Sequence, residues 1–405
     1  MQRILKRAFQ IIATVVGIII SVIIGFIAYF YLKLPSEFNI INGEQLTLPS
    51  FSQISGGNLI NYNKTSLVNM KSNSSETLTL KLFNKIPIKN IHINSIEKSS
   101  LTPGGTAFGI KLFTHGVLVI DTNSVETSDG FKSPAKVSGI AKGDVIISIN
   151  NIPISSNEQI SDIISSSKGN ELLFTISRND KQFTTSLTPV KSSIDEGYKS
   201  GIWVRDSSAG VGTITFIDKN TMQFAGLGHG ICDIDTGKIM PLDNGQVCDV
   251  DIKSVIKGKA GVPGEICASF ASDKVQGTLS NNQENGIYGK LKSIPTNMHN
   301  ISPKPLRLKQ NVKKGNATII CTLDNNIPAE YSIRIDKIDL NKSAVTKNMT
   351  ITVTDKRLLA KTNGIIQGMS GSPILQDGEI VGAVTHVFVN NPQKGYGILI
   401  ENMLN

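Results

Sequence analysis

The sequence is short of the residues that build metal centres. Its 405 residues contain five histidines and four cysteines. No Cys-x-x-Cys pair occurs, so the usual spacing of a structural zinc site is missing. His229-Gly-Ile-Cys232 could form half of such a site, but the spacings to Cys248 and Cys267 are irregular. We therefore predict no metal and no cofactor. The four cysteines allow three full disulfide pairings, and the sequence does not choose between them.

Clusters of like charge are also missing. The net charge is +9, but the lysines are spread along the chain instead of being grouped. This pattern is typical of a solvated surface with some attraction to anionic lipid, and it argues against a nucleic-acid partner.

Charge is absent altogether from residues 8–32, which are almost wholly apolar. About 20 such residues cross a bilayer as a helix, whereas the apolar core of a cleaved signal peptide has about 7–15. Tyr29-Phe30-Tyr31 at the end suits an interfacial aromatic belt. We predict an anchor over 1–33 with a cytoplasmic N-terminus, and the remainder outside the cytoplasm; a cleaved signal peptide is the alternative.

The chain after the anchor divides into a stalk, a small β-unit, a module and a long β-region. Residues 34–76 are polar with little periodicity and are interpreted as a stalk. Alternating apolar residues predict a β-unit over 77–98. Residues 99–190 form a module of glycine-punctuated strands and one helix, "SSNEQISDIISSS", with Ser155-x-x-Glu158 matching a capping box.

The module resembles a PDZ domain. "SPAKVSGIAKGDVIISINN" is similar to the Pro-Ala…Gly-Leu-x-x-Gly-Asp…Ile-Asn-Gly pattern of bacterial PDZ domains. The resemblance implies a loop that binds a peptide carboxylate, and "AFGI" places Phe108, Gly109 and Ile110 there. A PDZ fold without a functional groove is the alternative.

Residues 195–405 contain short alternating strands and favour an all-β barrel or sandwich. The only helix predicted there is the terminal "ENML". "GIIQGMSGSPILQDGEIVGAVTH" within this region has Ser370 on a glycine-flanked turn. A serine nucleophile needs a base and backbone N–H donors for the oxyanion. Gly368 can turn its own N–H and that of Ser370 into one oxyanion hole, as in the Gly-x-Ser-Gly turn of chymotrypsin-like peptidases.

His229 is the histidine best placed to act as base, because "GLGHGIC" sets it between glycines at a strand end. Thr385 and His386 lie on a strand after Ser370, where we predict a substrate subsite; the alternative for His386 is to act as the base. In the chymotrypsin order the acid lies between base and nucleophile. Spacing favours Asp273 for that role, 44 residues after His229. The other candidates are Asp233, Asp235, Asp243, Asp249, Asp251, Asp324, Asp336, Asp339 and Asp355.

A span, a PDZ module, "GLGHGICDIDTG" and the stretch from "GIIQGMSGSPILQDG" to "GYGILIENML" together resemble the stage IV sporulation protein B family of serine peptidases. The resemblance implies the triad His229, Asp355 and Ser370, although Asp355 lies only 15 residues before Ser370. It also implies a membrane-anchored enzyme in the space between forespore and mother cell. Such an enzyme signals by cleaving a membrane partner that regulates a second protease.

We accordingly predict a mainly β protein: a transmembrane helix, a PDZ domain at 99–190 and a chymotrypsin-like peptidase domain at 195–405. The polar stalk is a candidate PDZ ligand, and cutting it would release the enzyme from its anchor. The alternative function is a membrane-tethered PDZ scaffold with an inactive peptidase-like domain.

Overall fold

The computed structural model describes residues 2–41, 46, 60–61, 74–82, 85–179, 181–340 and 345–404. Helix α1, Gln2–Lys33, contains a 29-residue stretch, Leu5–Lys33, that is long and apolar enough to cross a membrane. Its end is anchored in protein, because Phe30 and Leu34 are buried in the core of the domain that follows.

That domain is a four-stranded sheet in the order β1-β4-β3-β2. Its strands are β1 Glu37–Ile41, β2 Ile60–Asn61, β3 Ser75–Leu82 and β4 Ile86–Ile96. The expectation of a stalk over 34–76 is corrected, because β1 pairs in parallel with β4 and buries Phe38 and Ile40 in a folded domain. Most of 42–73, the rest of the predicted stalk, lies outside the described residues.

This membrane-proximal domain also contacts the C-terminal end of the chain. The Asn39 side-chain amide donates to Glu401 Oε2 at 2.8 Å, and Gln310 Nε2 donates to the Asn39 carbonyl at 2.7 Å. Burial raises the pKa of the Glu401 carboxyl. The first strand after the anchor is thus held by two domains.

The next elements begin in the first of two barrels, pass through the PDZ module and return to that barrel. They are β5 Ser100–Pro103, β6 Ala107–Thr122, β7 Val125–Thr127, β8 Gly130–Lys132, α2 Pro134–Val137, β9 Val145–Ile149, β10 Ile152–Pro153, α3 Asn157–Ser166, β11 Leu172–Arg178, β12 Lys181–Leu187, β13 Val190–Lys191, β14 Tyr198–Lys199 and β15 Ile202–Ile217.

Helix α3 confirms the predicted helix, but its capping box begins one residue later than expected. The Ser156 hydroxyl accepts the Gln159 N–H, and the Gln159 side chain accepts the Ser156 N–H.

The remaining elements complete two barrels. They are β16 Gln223–Gly226, β17 Leu242–Ile256, β18 Glu265–Gln283, β19 Gly286–Leu291, β20 Lys304–Pro305, β21 Gly315–Asp324, β22 Ile327–Ile338, β23 Met349–Val353, α4 Lys356–Thr362, β24 Pro373–Gln376, β25 Glu379–Phe388 and β26 Asn391–Leu399. Short 3-10 helices cover Thr296–Met298, Lys309–Asn311 and Ile400–Met403. The terminal "ENML" lies in the last of these, and α4 was not predicted.

The two barrels have the same strand order. The first runs β6-β15-β16-β19-β18-β17 and closes back on β6, and the second runs β21-β22-β23-β26-β25-β24 and closes on β21. Numbered along the chain, each barrel follows the order 1-2-3-6-5-4. Apolar side chains between the barrels, among them Phe216, Ile380 and Ile398, form a shared core. The cleft where the barrels meet is where the candidate site lies.

The PDZ module is inserted into the first barrel, between its first and second strands. Residues 107–113 of β6 pair with 207–213 of β15 in the barrel, and residues 118–122 pair with 202–205 in the module. The module sheet continues through β9, β11 and β12. The predicted boundaries at 99–190 and 195–405 are corrected accordingly, because residues 107–113 belong to the barrel and residues 202–205 to the module.

The expected PDZ loop at Phe108, Gly109 and Ile110 is corrected for the same reason. These residues lie inside a barrel strand that is paired on both edges, and Phe108 and Ile110 are buried in the barrel core. The module strand adjacent to α3 is instead the first part of β15, whose Asp206 carboxylate accepts the Asn157 N–H at the start of α3.

Candidate active site

Ser370 lies on a tight turn directly before β24. Gly368 and Gly371 have φ angles of +94° and +93°, which only glycine adopts without strain. A Cβ on Gly371 would lie 2.0 Å from the Thr213 carbonyl, so the approach of the two barrels also requires glycine there. Among the described residues, neither the N–H of Gly368 nor that of Ser370 has an acceptor. The turn thus leaves two N–H groups without an acceptor, at the residues for which the sequence predicts an oxyanion hole.

The first barrel holds this turn in place through β15. The Thr213 N–H donates to the Ser370 carbonyl at 3.0 Å, and the Thr213 hydroxyl donates to the Gly368 carbonyl at 2.8 Å. The Thr215 hydroxyl donates to the Gly371 carbonyl at 2.8 Å. Sequence reasoning missed both threonines. Their signal was two polar residues at alternate positions in the apolar stretch "GTITFI".

The cleft between the barrels has a volume of about 780 Å³ and brings Ser370, His229 and His386 together. The Ser370 hydroxyl donates to the Thr385 carbonyl at 2.8 Å and makes no hydrogen bond to either imidazole. The two imidazole centroids are 4.8 Å apart. Catalytic hydrogen bonds are often unformed before substrate binds, so this geometry is compatible with a nucleophile and its base.

His229 is oriented by the main chain. Its Nδ1 lies 2.9 Å from the Gly230 carbonyl, and a proton on that nitrogen leaves Nε2 as the acceptor. Burial lowers the pKa of His229, an effect partly opposed by this hydrogen bond. The imidazole is therefore neutral at pH 7 and able to take a proton.

The predicted subsite residues line the same cleft. Register in β25 is interrupted between Val384 and Val387, which leaves Thr385 and His386 outside the regular ladder to β26. The Thr385 hydroxyl donates to the Thr346 carbonyl. Burial, and then the neighbouring His229, lower the pKa of His386 to about 4. His386 is thus a neutral side chain beside the nucleophile.

The role expected for Asp355 is corrected by its contacts. Asp355 caps α4, accepting the N–H groups of Arg357 and Leu358 and also that of Ser332. The Arg357 guanidinium lies 2.9 Å from its carboxylate and holds the pKa of that carboxyl far below its usual range. The residues that hydrogen-bond to the Asp355 carboxylate, Ser332, Arg357 and Leu358, are not among those lining the cleft. The carboxylate is committed to the helix terminus.

The alternative acid, Asp273, has its backbone in β18, and its side chain lies outside the described part of the structure. Glu284 lines the cleft, and its carbonyl accepts the Gly230 N–H at 3.2 Å. It was not among the sequence candidates, because nothing in its local pattern distinguishes it. Within the described residues, no three His, Cys, Asp or Glu side chains are grouped as metal ligands.

Known families and solved structures match parts of this chain. A PDZ domain family matches residues 132–178. Among solved structures, the PDZ domain of an SdrC-like protein from Listeria monocytogenes is 22% identical, with 22% of this chain and 87% of that chain covered and a TM-score of 0.19. The Rv3671c protease of M. tuberculosis in its active form is 14% identical, with 49% and 72% covered and a TM-score of 0.29.

The curated proteins include no match to this chain. The SpoIVB peptidase S55 family matches residues 196–404, which is more than half of the sequence. The chain belongs to the SpoIVB peptidase S55 family and is a serine endopeptidase with an inserted PDZ domain.

Proposed function

We propose that this peptidase, anchored by α1, cuts a membrane-associated protein outside the cytoplasm and also cuts its own N-terminal segment. The observation that supports this most is the Ser370 turn, which presents a nucleophile and two free N–H donors in the cleft that holds His229. The resemblance stated above adds the setting of endospore formation and a partner that controls a second protease.

The proposed chemistry is that of a serine peptidase acting through these residues. Ser370 Oγ attacks the scissile carbonyl carbon while its proton passes to His229 Nε2. The oxyanion that forms is bound by the N–H groups of Gly368 and Ser370. As the C–N bond breaks, His229 returns the proton to the leaving amine, and the acyl group stays on Ser370. Water, deprotonated by His229, then hydrolyses the acyl-enzyme. The Gly230 carbonyl fixes the imidazole tautomer in place of a carboxylate.

The PDZ module regulates cleavage in this proposal by binding a peptide as an added strand. The available edge is the first part of β15 beside α3, where Ile202, Val204 and Ile163 pack against the module core. A peptide added to this edge would gain main-chain hydrogen bonds from the strand and side-chain contacts from the helix. The segment before Thr77 is close in sequence and would have a high effective concentration as the ligand.

The test compares full-length protein with Ser370→Ala, and with Ser372→Ala as the matched control. Ser372 is a buried serine two residues further on. We expect wild type and Ser372→Ala to react with a fluorophosphonate probe and to give a shortened chain whose new N-terminus lies before Thr77. Ser370→Ala should do neither. Equal shortening in wild type and Ser370→Ala would point to an outside protease, and an unlabelled wild type would contradict the role of Ser370.

A further inference from the structure

Arg205 connects the PDZ module to the loop that carries His229. It lies on the module part of β15, paired with Leu118 of β6 and directly after Val204, which packs on the module core. Its guanidinium leaves the module and reaches the segment that follows β16. The module therefore contacts the loop that carries His229 through a charged side chain, in addition to the strands that module and barrel share.

The partners of Arg205 are two carboxylates of that segment. Arg205 Nη1 donates to Asp233 Oδ2, and Nη2 donates to Asp235 Oδ2 at 2.8 Å. The Asp233 side chain is fully buried. A buried carboxylate needs a charged or hydrogen-bonding partner, so the guanidinium is required for this arrangement. A guanidinium also holds two carboxylates in fixed directions, which an ammonium group cannot do.

Asp233 in turn determines the shape of the His229 loop. Its second oxygen accepts the N–H groups of Asp235 at 3.1 Å and Thr236 at 2.7 Å. Its own N–H donates to the Lys238 carbonyl, and the Met240 N–H donates to the Ile231 carbonyl. These hydrogen bonds join the two ends of the segment from residue 231 to residue 240 and form a closed loop. The loop begins two residues after His229.

A second contact joins the same loop to the module at another point. Lys238 Nζ donates to the Gly143 carbonyl at 3.1 Å and lies 3.4 Å from Asn179 Oδ1, both in the module. The loop is thus held by two cationic side chains, one from each side of the junction, and both contacts cross between module and barrel.

We propose that Arg205 is a positioning residue for His229, and that the PDZ module is part of the scaffold of the active site. Through Asp233, the guanidinium fixes the loop that sets the direction of the imidazole. A displacement of the β15 edge would then move the base relative to Ser370. The inference rests on the proposed role of His229 as base and adds the residue that holds it.

The test uses a double variant, because Arg205 alone cannot be removed without leaving a buried charge. Arg205→Met with Asp233→Asn removes both charges and keeps an amide oxygen for the Thr236 N–H. The matched control is Arg307→Met with Glu379→Gln, a pair at the second barrel. There Arg307 Nε lies 2.5 Å from Glu379 Oε2, and the Arg307 side chain is only 11% exposed. The control removes the same kinds of group at a place that contacts neither the loop nor the module.

The full-length variants in detergent micelles are compared by the rate of fluorophosphonate labelling at Ser370 and by kcat and KM on fluorescent casein. A base misplaced by about 1 Å costs roughly a hundredfold in rate, so we expect labelling and kcat to fall by about ten- to a hundredfold with KM little changed. The control should keep wild-type rates at a similar thermal unfolding midpoint. Equal rates in the two double variants, or a loss that follows the unfolded fraction, would overturn the proposal.

A second measurement separates this inference from the proposed function. The chain has five histidines, so 15N imidazole spectra can be assigned with a His229→Gln variant. We expect the His229 resonances to shift in the Arg205/Asp233 double variant and to stay in place in the control. An unlabelled wild type would contradict the proposed function, and unchanged His229 resonances would contradict the positioning role independently of activity.

Discussion

The two barrels share one strand order but differ in how the chain builds them. The second is continuous from residue 315 to residue 399, and its first two strands are joined by a hairpin at Asn325-Asn326. The first barrel has the whole PDZ module in place of that hairpin. Its opening strand therefore lies before the module, outside the matched segment 196–404. The peptidase domain is thus matched as one stretch of sequence, but it is built from two separate stretches of the chain.

Removal of the first strand should give the largest effect. A chain of residues 196–405 keeps the matched segment but loses residues 107–113, which pair with both β15 and β17. Two long strands would then expose unpaired edges, and the buried Phe108 and Ile110 would be missing from the core. We expect this chain to show no cooperative thermal unfolding by circular dichroism, whereas residues 97–405 unfold cooperatively. A stable 196–405 chain would mean that the strand is dispensable.

The two histidines of the cleft, one from each barrel, should differ strongly in importance. General base catalysis contributes about 10²- to 10⁴-fold, so His229→Gln should lower Ser370 labelling by that order and His386→Gln far less. Because burial lowers the pKa of His229 from its usual value of 6.5, the imidazole stays neutral as the pH falls to values somewhat below 6.5. As the pH is lowered, the wild-type labelling rate should therefore fall to half of its plateau value at a pH below 6.5. The same pH dependence should be seen in His386→Gln. The reverse ranking would assign the base to the second barrel.

The smallest effect is expected at Asp355, in the second barrel. Asn is as good an N-cap as Asp, so Asp355→Asn should keep α4 and nearly wild-type labelling per folded molecule. Asp355→Ala should cost about 1 kcal/mol of stability through loss of the cap, measured by urea denaturation. A loss of labelling by orders of magnitude in Asp355→Asn, with the fold intact, would restore the triad role that the family resemblance implied.

Features that depend on a short stretch of sequence were predicted correctly. Residues 8–32 predicted the helix, the alternating strands predicted β structure, and the Gly368–Gly371 string predicted a turn with free N–H groups. The PDZ boundaries were wrong because β6 and β15 each run through two domains without a break in their periodicity. The triad role of Asp355 was taken from the family resemblance. The stretch "TDKRLLAK" itself contains the signal of a capped helix, which is an acidic residue before a run of good helix formers.

The sequence does not indicate which residues from distant segments pair with each other. Arg205 and Asp233 are separated by 28 residues, and each looks like an ordinary surface charge when taken alone. Thr213 and Gly368 are 155 residues apart, and their hydrogen bond depends on the packing of one barrel against the other. Such pairs become visible only when the topology is known, because their spacing follows no period of helix or strand.

The parallel pairing of β1 with β4 changes what a cut in the N-terminal segment would accomplish. A break between Ile41 and Ser74 severs the backbone, but α1 and β1 would remain clasped by the sheet, by Gln310 and by Glu401. The cleaved anchor would behave as a noncovalently bound fragment with its own dissociation rate. The enzyme would therefore stay attached to the membrane after the chain is cut. Cleavage of the chain and release of the enzyme would then have separate rates, and the rate of release would be determined by how long the five-residue strand β1 stays paired.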